Sequence, residues 1–193
     1  MTHRLWGVIA LPILSMLYVR QCDVAALAAK HGWQFQTKHQ LALQLITQVV
    51  QTLRALGSKG KMLVVFDGAY AARPLLVPLS KLGVTVVSRL RSNAKLFDLP
   101  APRKPGERGR PRKYGKNRIS LSKRIRHRLG WQTISHVCRG VAVFRRYKTF
   151  LATTTLADEP IRVVIVQFDN GQTAAYFSTD VDMPLETILE TVA

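Results

Sequence analysis

The sequence predicts an α/β fold that continues into a strongly basic, β-rich segment, and three observations support this prediction. Apolar runs of strand length alternate with helical patterns over residues 1–89, as they do where helices cover a sheet. Hydrophobic residues make up 47% of the 193 residues, which is ordinary for a folded protein and wrong for a disordered one. Lys and Arg total 29 against 11 Asp and Glu, giving a net charge of +18. Nucleic acid is therefore a more expected partner than a membrane surface.

The first apolar run imitates the core of a targeting segment. Residues 5–19 are almost wholly apolar and follow two basic residues, as in a signal peptide. The run is shorter than the roughly 20 residues that span a bilayer. It is also divided by Pro12, and no small-residue cleavage site follows at once. We therefore expect two buried strands, over 5–11 and 13–19, and keep the targeting segment as the less favoured alternative.

The next elements alternate between helix and strand. A helix is predicted to begin near Thr37, because apolar residues recur at helical spacing, and Gly57 is a natural carboxyl-terminal cap. Short apolar runs that end at turn residues are typical of buried strands. The predicted elements that follow are a strand over 62–66, a helix over 69–82 that contains Pro74, and a strand over 84–87.

Past Arg89 the composition changes. Twelve Lys or Arg residues and a single acid, Glu107, lie in the range 103–128. Residues 105–115, here called the basic loop, are rich in Gly and Pro and lack a hydrophobic period, which predicts an extended loop. Strands are expected to resume over 140–144 and 150–154.

The last part of the sequence carries a hairpin signal and a helix signal. Asn170-Gly171 lies between two apolar runs, 163–168 and 173–177, and Asn-Gly is the strongest short signal for a β-hairpin. Asp182 is predicted to cap a final helix that begins at Leu185.

Asp67 is the candidate catalytic residue. It follows a buried strand and precedes Gly68, at the edge where an α/β sheet presents its ligands. A carboxylate on a rigid strand can bind Mg²⁺ with little reorganisation. On position alone, capping of the following helix is an equal alternative.

The basic loop is the candidate DNA-binding site. Residues 108–113, RGRPRK, have the form of an AT-hook, whose arginines can enter the narrow minor groove of A·T-rich DNA. A solvated loop, or unselective affinity for polyanions, is the alternative. Tyr114 and Tyr147 lie among cations and could stack on bases, although a packing role is at least equally expected. The candidate DNA contacts are Arg108, Arg110, Arg112, Lys113, Lys116, Arg118, Lys123 and Arg124.

Other chemistry-bearing residues give weaker signals. His127, His136 and Cys138 are close in sequence, but their spacing matches no usual zinc motif. Asp180 and Asp182 could hold a metal as a pair, although helix capping explains Asp182 more simply.

Residues 61–98, KMLVVFDGAYAARPLLVPLSKLGVTVVSRLRSNAKLFD, resemble the second-aspartate region of bacterial insertion-sequence transposases of the DDE superfamily. The segments LPILSMLYVR, GRPRKYG and STDVDMPLETILE resemble the corresponding family segments in the same order. The resemblance implies an RNase H-like mixed sheet whose opening strand is missing. The domains it implies are a partial RNase H-like core over 1–89, a basic β-rich insertion over 90–178 and the start of the final core helix over 179–193.

The family's chemistry is phosphoryl transfer by two Mg²⁺ or Mn²⁺ ions that three carboxylates hold. Only Asp67 matches one of the three. The first is expected ahead of residues 5–11, and the third in a Tyr-x-x-Arg-Trp-x-x-Glu helix after residue 190, which Glu186 and Glu190 do not match. The resemblance therefore implies a transposase truncated at both ends and inactive alone.

The implied function is transposition, in which transposon DNA ends are cut and joined. The implied partners are double-stranded DNA and either a second copy of the chain or a full-length transposase, with no membrane partner. The implied location is the bacterial cytoplasm, at the nucleoid. The alternative is a non-catalytic DNA-binding protein or inhibitor derived from a transposase, which needs no Mg²⁺, and a third and less favoured possibility is a basic RNA-associated protein.

Overall fold

The computed structural model describes residues 2–3, 7–8, 12–103, 106, 108–138 and 140–192. The chain forms two compact units, Met1–Ser58 and Lys59–Ala193. The domain boundaries predicted at residues 89 and 178 stay a prediction. Within the described residues, no helix combines the length and apolar character needed to cross a membrane.

The first unit contains a two-stranded ladder and two helices. Its elements are β1 (Thr2–His3), β2 (Gly7–Val8), α1 (Gln21–His31) and α2 (Lys38–Ala55). Helix α2 begins with a capping box: the Thr37 hydroxyl accepts from the Gln40 backbone N–H, and the Gln40 side chain accepts from the Thr37 backbone N–H at 2.8 Å. This confirms the helix predicted to begin near Thr37.

The strand predicted over 13–19 is wrong. These residues have no regular structure, and Ile13 and Leu17 are exposed. An apolar run indicates burial, whereas a strand also requires a partner, and the described ladder of this unit pairs β1 with β2. Of the strand predicted over 5–11, Gly7–Val8 form β2, and the rest lies outside the described residues.

The second unit is built on a mixed, mostly antiparallel sheet. Eight strands of its described part form the order β3-β4-β10-β9-β8-β5-β6, with β7 also paired to β8. Only β3 and β4 are parallel in this set, and α3 connects them. The elements are β3 (Met62–Phe66), α3 (Arg73–Lys81), β4 (Val84–Arg89), β5 (Leu96–Phe97), β6 (Arg118–Ile119), α4 (Leu121–Arg126), β7 (Gln132–Cys138), β8 (Val141–Thr154), β9 (Ile161–Gln167), β10 (Thr173–Ser178) and α5 (Leu185–Thr191).

Helices cover both faces of this sheet. On one face, Ile188 and Leu189 of α5 pack with Val87, Val164 and Val166. On the other, α3 packs against β4 through a buried apolar side. Strand β9 is consequently buried on both faces over 163–166, which explains why its sequence is a continuous apolar run instead of an alternating one.

Several predicted boundaries of the second unit need correction. The strands predicted over 140–144 and 150–154 are one long strand, β8, and β7 before it was not predicted. The predicted hairpin is confirmed, since β9 and β10 pair across the Asn-Gly turn. Helix α5 begins at Leu185 as predicted, but its N-cap is Pro184 and not Asp182. Instead, the Asp182 backbone N–H donates to Asp180 Oδ1 at 3.0 Å, so this pair shapes the turn before the helix.

Candidate functional site

Asp67 lies immediately after β3 and is exposed. Its Oδ1 accepts from the Gly68 backbone N–H at 2.6 Å, and its carbonyl accepts from the Tyr70 N–H at 2.9 Å, so the residue opens a tight turn. Helix α3 starts later than predicted, at Arg73, with Ala72 as an N-cap that makes no side-chain bond. The capping alternative for Asp67 is therefore wrong: its carboxylate is held by its own turn and faces solvent.

Gly68 allows the ends of the two parallel strands to approach closely. A Cβ at this position would lie 2.9 Å from the carbonyl oxygen of Arg89, the last residue of β4. Real Cβ atoms do not come so near a backbone oxygen, and only glycine avoids the contact. Gly68 thus brings the turn that carries Asp67 beside the end of β4.

A cleft of about 700 Å³ opens at this place. We call it the Asp67 cleft. Its polar lining includes Asp67, which follows β3, and Arg89, Arg91, Ser92 and Asn93, at the end of β4 and after it. Residues of α4 and β10 complete the lining: Leu121, Ser122, Ile125, Thr173, Ala174 and Ala175.

The sequence interpretation missed Arg89 and Arg91. A signal was present, because the run Ser88-Arg-Leu-Arg-Ser-Asn93 follows a buried strand next to the one that carries Asp67. The carboxyl ends of adjacent parallel strands meet at one edge of a sheet. Two basic residues after the second strand could therefore have been placed beside Asp67.

The described residues do not by themselves fit a two-metal site. Among them, no group of three or more His, Cys, Asp or Glu could hold a metal ion. This also leaves the zinc alternative for His127, His136 and Cys138 without support. Asp180 is engaged elsewhere: it lies 3.5 Å from Lys61 Nζ and lines a cavity at the start of β4, at the opposite end of that strand from Asp67. Asp67 can offer one carboxylate and no more.

All eight predicted DNA contacts are exposed. Arg108, Arg110 and Arg112 lie in an irregular segment, as predicted for the basic loop, of which residues 104, 105 and 107 are outside the described part. Arg118 begins β6. The structure spreads the other four over the loop end and α4: Lys113, Lys116, Lys123 and Arg124.

Asp158, in the connection between β8 and β9, anchors the basic loop. Its Oδ1 forms an ion pair with Lys113 Nζ and a second one, at 2.6 Å, with Arg73 Nη2 at the start of α3. These bonds hold the pKa of the Asp158 carboxyl below its ordinary value, with the Lys113 contribution the larger. Lys113 is thus committed to a carboxylate, whereas Arg108, Arg110 and Arg112 take part in no ion pair among the described residues.

The base of the loop is also fixed. The Gly115 N–H donates to the Asp98 carbonyl at 2.9 Å, and the Thr153 hydroxyl of β8 donates to the same carbonyl at 2.8 Å. The Tyr114 ring packs on Phe97, with 5.3 Å between centroids. The carboxyl-terminal end of the described basic loop is therefore held by rigid structure.

Lys148 of β8 holds the carboxyl end of α4 and was not predicted. Its side chain is buried, with 7% of the residue exposed. Nζ donates to the carbonyls of Arg124 at 2.8 Å and His127 at 2.6 Å, and lies 4.8 Å from the centre of the Trp131 ring. Burial, followed by the charges of Arg124 and Arg146, lowers the pKa of Lys148. A cation under a helix carboxyl terminus is favourable, and this one fixes the helix that presents Lys123 and Arg124.

Tyr147, the other tyrosine considered for base stacking, is engaged within the sheet. Its hydroxyl donates to Gln132 Oε1 of β7 at 2.6 Å. The two strands are paired at this position. The side chain therefore has a cross-strand role in this structure.

The comparison with protein families identifies the chain. No curated protein and no solved structure matches it significantly. A family model described as DDE superfamily endonuclease matches residues 19–156, which include the Asp67 cleft, the basic loop and β8. Because this match spans well over half of the sequence, the chain belongs to the DDE superfamily of endonucleases.

Proposed function

We propose that the chain acts in DNA transposition as a DDE transposase of a bacterial insertion sequence, of the kind that cleaves and joins transposon DNA ends, and that it is inactive alone. The observation that carries the proposal is the position of Asp67, beside the joined ends of the parallel strands β3 and β4 and within a segment that matches the family. The crossover β3–α3–β4 supports an RNase H-like core, and the basic strands that follow it support the proposed insertion.

Asp67 is proposed as one ligand of the Mg²⁺ or Mn²⁺ ions that this superfamily uses. Such ions supply Lewis-acid activation of a phosphoryl group. The described residues offer only this carboxylate near the cleft. We therefore propose that the isolated chain binds DNA without cutting it.

The DNA contact is proposed to run from the basic loop to α4. Arg108, Arg110 and Arg112 are exposed, while Asp158 and the Asp98 carbonyl fix the following residues. A loop held at its base loses less conformational freedom on binding than a free one. Arginine side chains on a Gly- and Pro-rich segment support insertion in an A·T-rich minor groove.

DNA binding is tested by fluorescence anisotropy on A·T-rich and G·C-rich duplexes of equal length. We expect log K to fall by about 0.9 per neutralised phosphate for each tenfold rise in salt. Replacement of Arg108, Arg110 and Arg112 by Ala should make the dependence less steep by up to about three such contacts. The control is Lys59→Ala with Lys81→Ala, which removes two exposed cations outside the proposed surface. Equal affinity for both duplexes would exclude minor-groove selectivity. If the triple variant keeps the salt dependence of the wild type, the basic loop does not contact the DNA.

The proposed lack of nuclease activity is tested separately, by incubation of the chain with supercoiled plasmid and Mg²⁺ or Mn²⁺. We expect no nicking above a heat-denatured control. Nicking that disappears in Asp67→Asn would refute the proposed inactivity and would show that the chain completes its own metal site.

A second candidate is a non-catalytic DNA-binding protein or an inhibitor of a transposase. The single carboxylate at the cleft favours it. Its binding would need no metal, so Asp67→Ala should leave the DNA affinity unchanged in the presence of EDTA or Mg²⁺. A tenfold gain in wild-type affinity with Mg²⁺ that Asp67→Ala removes would instead favour the transposase.

We also propose self-association through β3. In the described part of the sheet this strand pairs with β4 alone, and its Leu63 and Val65 are exposed. An apolar edge strand is a template for pairing with another chain. Sedimentation equilibrium should show a dimer, and a monomer at the highest soluble concentration would contradict the proposal.

A further inference from the structure

We propose that the Asp67 cleft binds a phosphodiester group of the DNA through Arg89 and Arg91. This site is distinct from the basic loop, and it rests on the proposed function, because it names the group that would lie opposite Asp67. The ligand is one phosphate of a DNA strand that leaves the loop and enters the cleft.

Two arginines, Arg89 and Arg91, belong to the lining of the cleft. Arg89 ends β4, and Arg91 opens a turn that the Ala94 N–H closes by donating to the Arg91 carbonyl at 3.0 Å. The chain between them is fixed, since the Leu90 N–H donates to the Ala175 carbonyl of β10 at 2.7 Å and the Leu90 side chain is buried. Both arginines therefore start from rigid backbone, as a preorganised anion site requires.

The two arginines of the cleft have no oppositely charged partner in the part of the chain that the structure describes. Among the described residues, neither Arg89 nor Arg91 takes part in an ion pair or side-chain hydrogen bond, although both are exposed. Other arginines of the same unit are committed: Arg73 to Asp158, and Arg145 to Asp169 at 2.5 Å. Within the described lining, two arginines stand against the single carboxylate of Asp67, so the cleft has an excess positive charge, which favours an anion.

The remaining lining favours a phosphate ester over other anions. Ser92, Asn93 and Ser122 can donate hydrogen bonds, and Leu121 and Ile125 add apolar surface beside them. Guanidinium groups bind phosphate oxygens in a bidentate manner, and neutral donors complete the contact. A volume of about 700 Å³ accommodates a nucleotide unit and not only a free ion.

A consequence follows for the arrangement of the DNA. The phosphate contacts proposed for the basic loop and α4, even with a preference for an A·T-rich minor groove, do not bring one particular strand to the cleft. A phosphate held by Arg89 and Arg91 would fix one strand next to Asp67. The two arginines are therefore positioning residues, and their loss should affect where the DNA lies more than how strongly it binds.

The test combines a photo-crosslink with salt titration, in EDTA so that no cleavage is involved. Ala69, an exposed residue of the cleft lining without a role in the proposed site, is replaced by p-benzoylphenylalanine, and the crosslink to a 30-base-pair duplex is measured at saturating DNA. We expect a crosslink in the otherwise native chain and its loss, by at least fivefold, after Arg89→Ala with Arg91→Ala. The salt dependence of log K should become less steep by about 0.9, the value of one phosphate contact. The charge-matched control, Lys59→Ala with Lys81→Ala, should retain the crosslink.

The outcomes separate this inference from the proposed function. A crosslink that survives the double arginine variant, or an unchanged salt dependence, overturns the phosphate site while binding by the basic loop stands. If the native chain fails to bind duplex DNA at low salt, the proposed function and this inference both fail. Circular dichroism of each variant checks the fold. The double variant Arg89→Lys with Arg91→Lys keeps both positive charges, so it should retain most of the salt dependence that the double Ala variant loses.

Discussion

Replacement of Lys148 by Met should destabilise the protein and loosen α4. The change keeps an unbranched apolar stem and removes the ammonium group that donates to the carbonyls of Arg124 and His127. A hydrogen bond from a charged donor contributes about 1.5–3 kcal/mol, so the two together contribute about 3–6 kcal/mol. Burial of the ammonium opposes this, because a charge that leaves water loses hydration. We expect a net loss of about 2 kcal/mol in the free energy of unfolding.

Urea denaturation followed by circular dichroism measures this loss. The matched control is Lys95→Met, which removes an exposed lysine and should change the free energy of unfolding by no more than about 0.5 kcal/mol. Lys148→Met should also weaken DNA binding, because Lys123 and Arg124 lie on the helix that Lys148 holds. Equal or greater stability of Lys148→Met would refute the view that this lysine holds α4.

The free energy of unfolding of the wild-type protein and of Lys148→Met, measured against pH, tests the protonation of Lys148. Its pKa in the folded protein lies below the ordinary value of 10.5. Between these two pKa values the unfolded chain binds the extra proton, so native stability should rise with pH in that window. Lys148→Met should lack this increment, and parallel stability curves for both proteins up to pH 10.5 would contradict the lowered pKa.

Two further substitutions probe the close contacts of the site. Gly68→Ala should destabilise the fold by about 1–3 kcal/mol, because its Cβ would lie 2.9 Å from a backbone oxygen. Gly60→Ala, which meets nothing within 4 Å, should be nearly neutral in the same thermal melt; equal melting of both variants would contradict the close approach. Asp158→Asn should release Lys113 and speed tryptic cleavage of the basic loop several-fold, whereas the exposed neighbour Glu159→Gln should not. The pKa of Asp158 is lowered, so the ion pair should be fully formed above pH 3.8 and should break as pH falls through the folded-state pKa. Because trypsin is inactive in acid, this part is followed by the NMR chemical shifts of Lys113 and its neighbours; shifts independent of pH would exclude this ion pair as the anchor.

Elements with local signals could be predicted from the sequence. Thr37 and Gln40 form the capping box of α2 with groups three residues apart, and Asn170-Gly171 fixes the hairpin of β9 and β10. In both, the interactions that select the structure lie within a few residues. Asp67 belongs to the same class, since its place at a strand end follows from the apolar run before it.

Elements that depend on distant partners could not be predicted. Residues 13–19 are apolar but have no strand partner among the described residues, whereas β7, with little apolar character, is a strand because β8 pairs with it along its length. The role of Lys148 could not be predicted for the same reason. Alternation places it on the face of Ile165, opposite α5, yet only the position of α4 shows which carbonyls it meets.

The arrangement of the cations, more than their number, distinguishes a DNA-binding surface from a generally basic protein. Lys113 and Lys148 bind groups within the protein, Asp158 and the Arg124 carbonyl respectively. Each lysine thereby fixes an element that carries exposed cations. Arg108, Arg110 and Arg112 are exposed on the loop that Lys113 fixes, and Lys123 is exposed on the helix that Lys148 fixes, where the Arg124 guanidinium lies 4.2 Å from the centre of the Phe150 ring. Counterion release depends on cations that meet phosphates, so a net charge of +18 overstates the contacts available. In the proposed complex, lysines with internal partners position the exposed cations, and this arrangement would keep the DNA in one orientation with a strand directed toward Asp67.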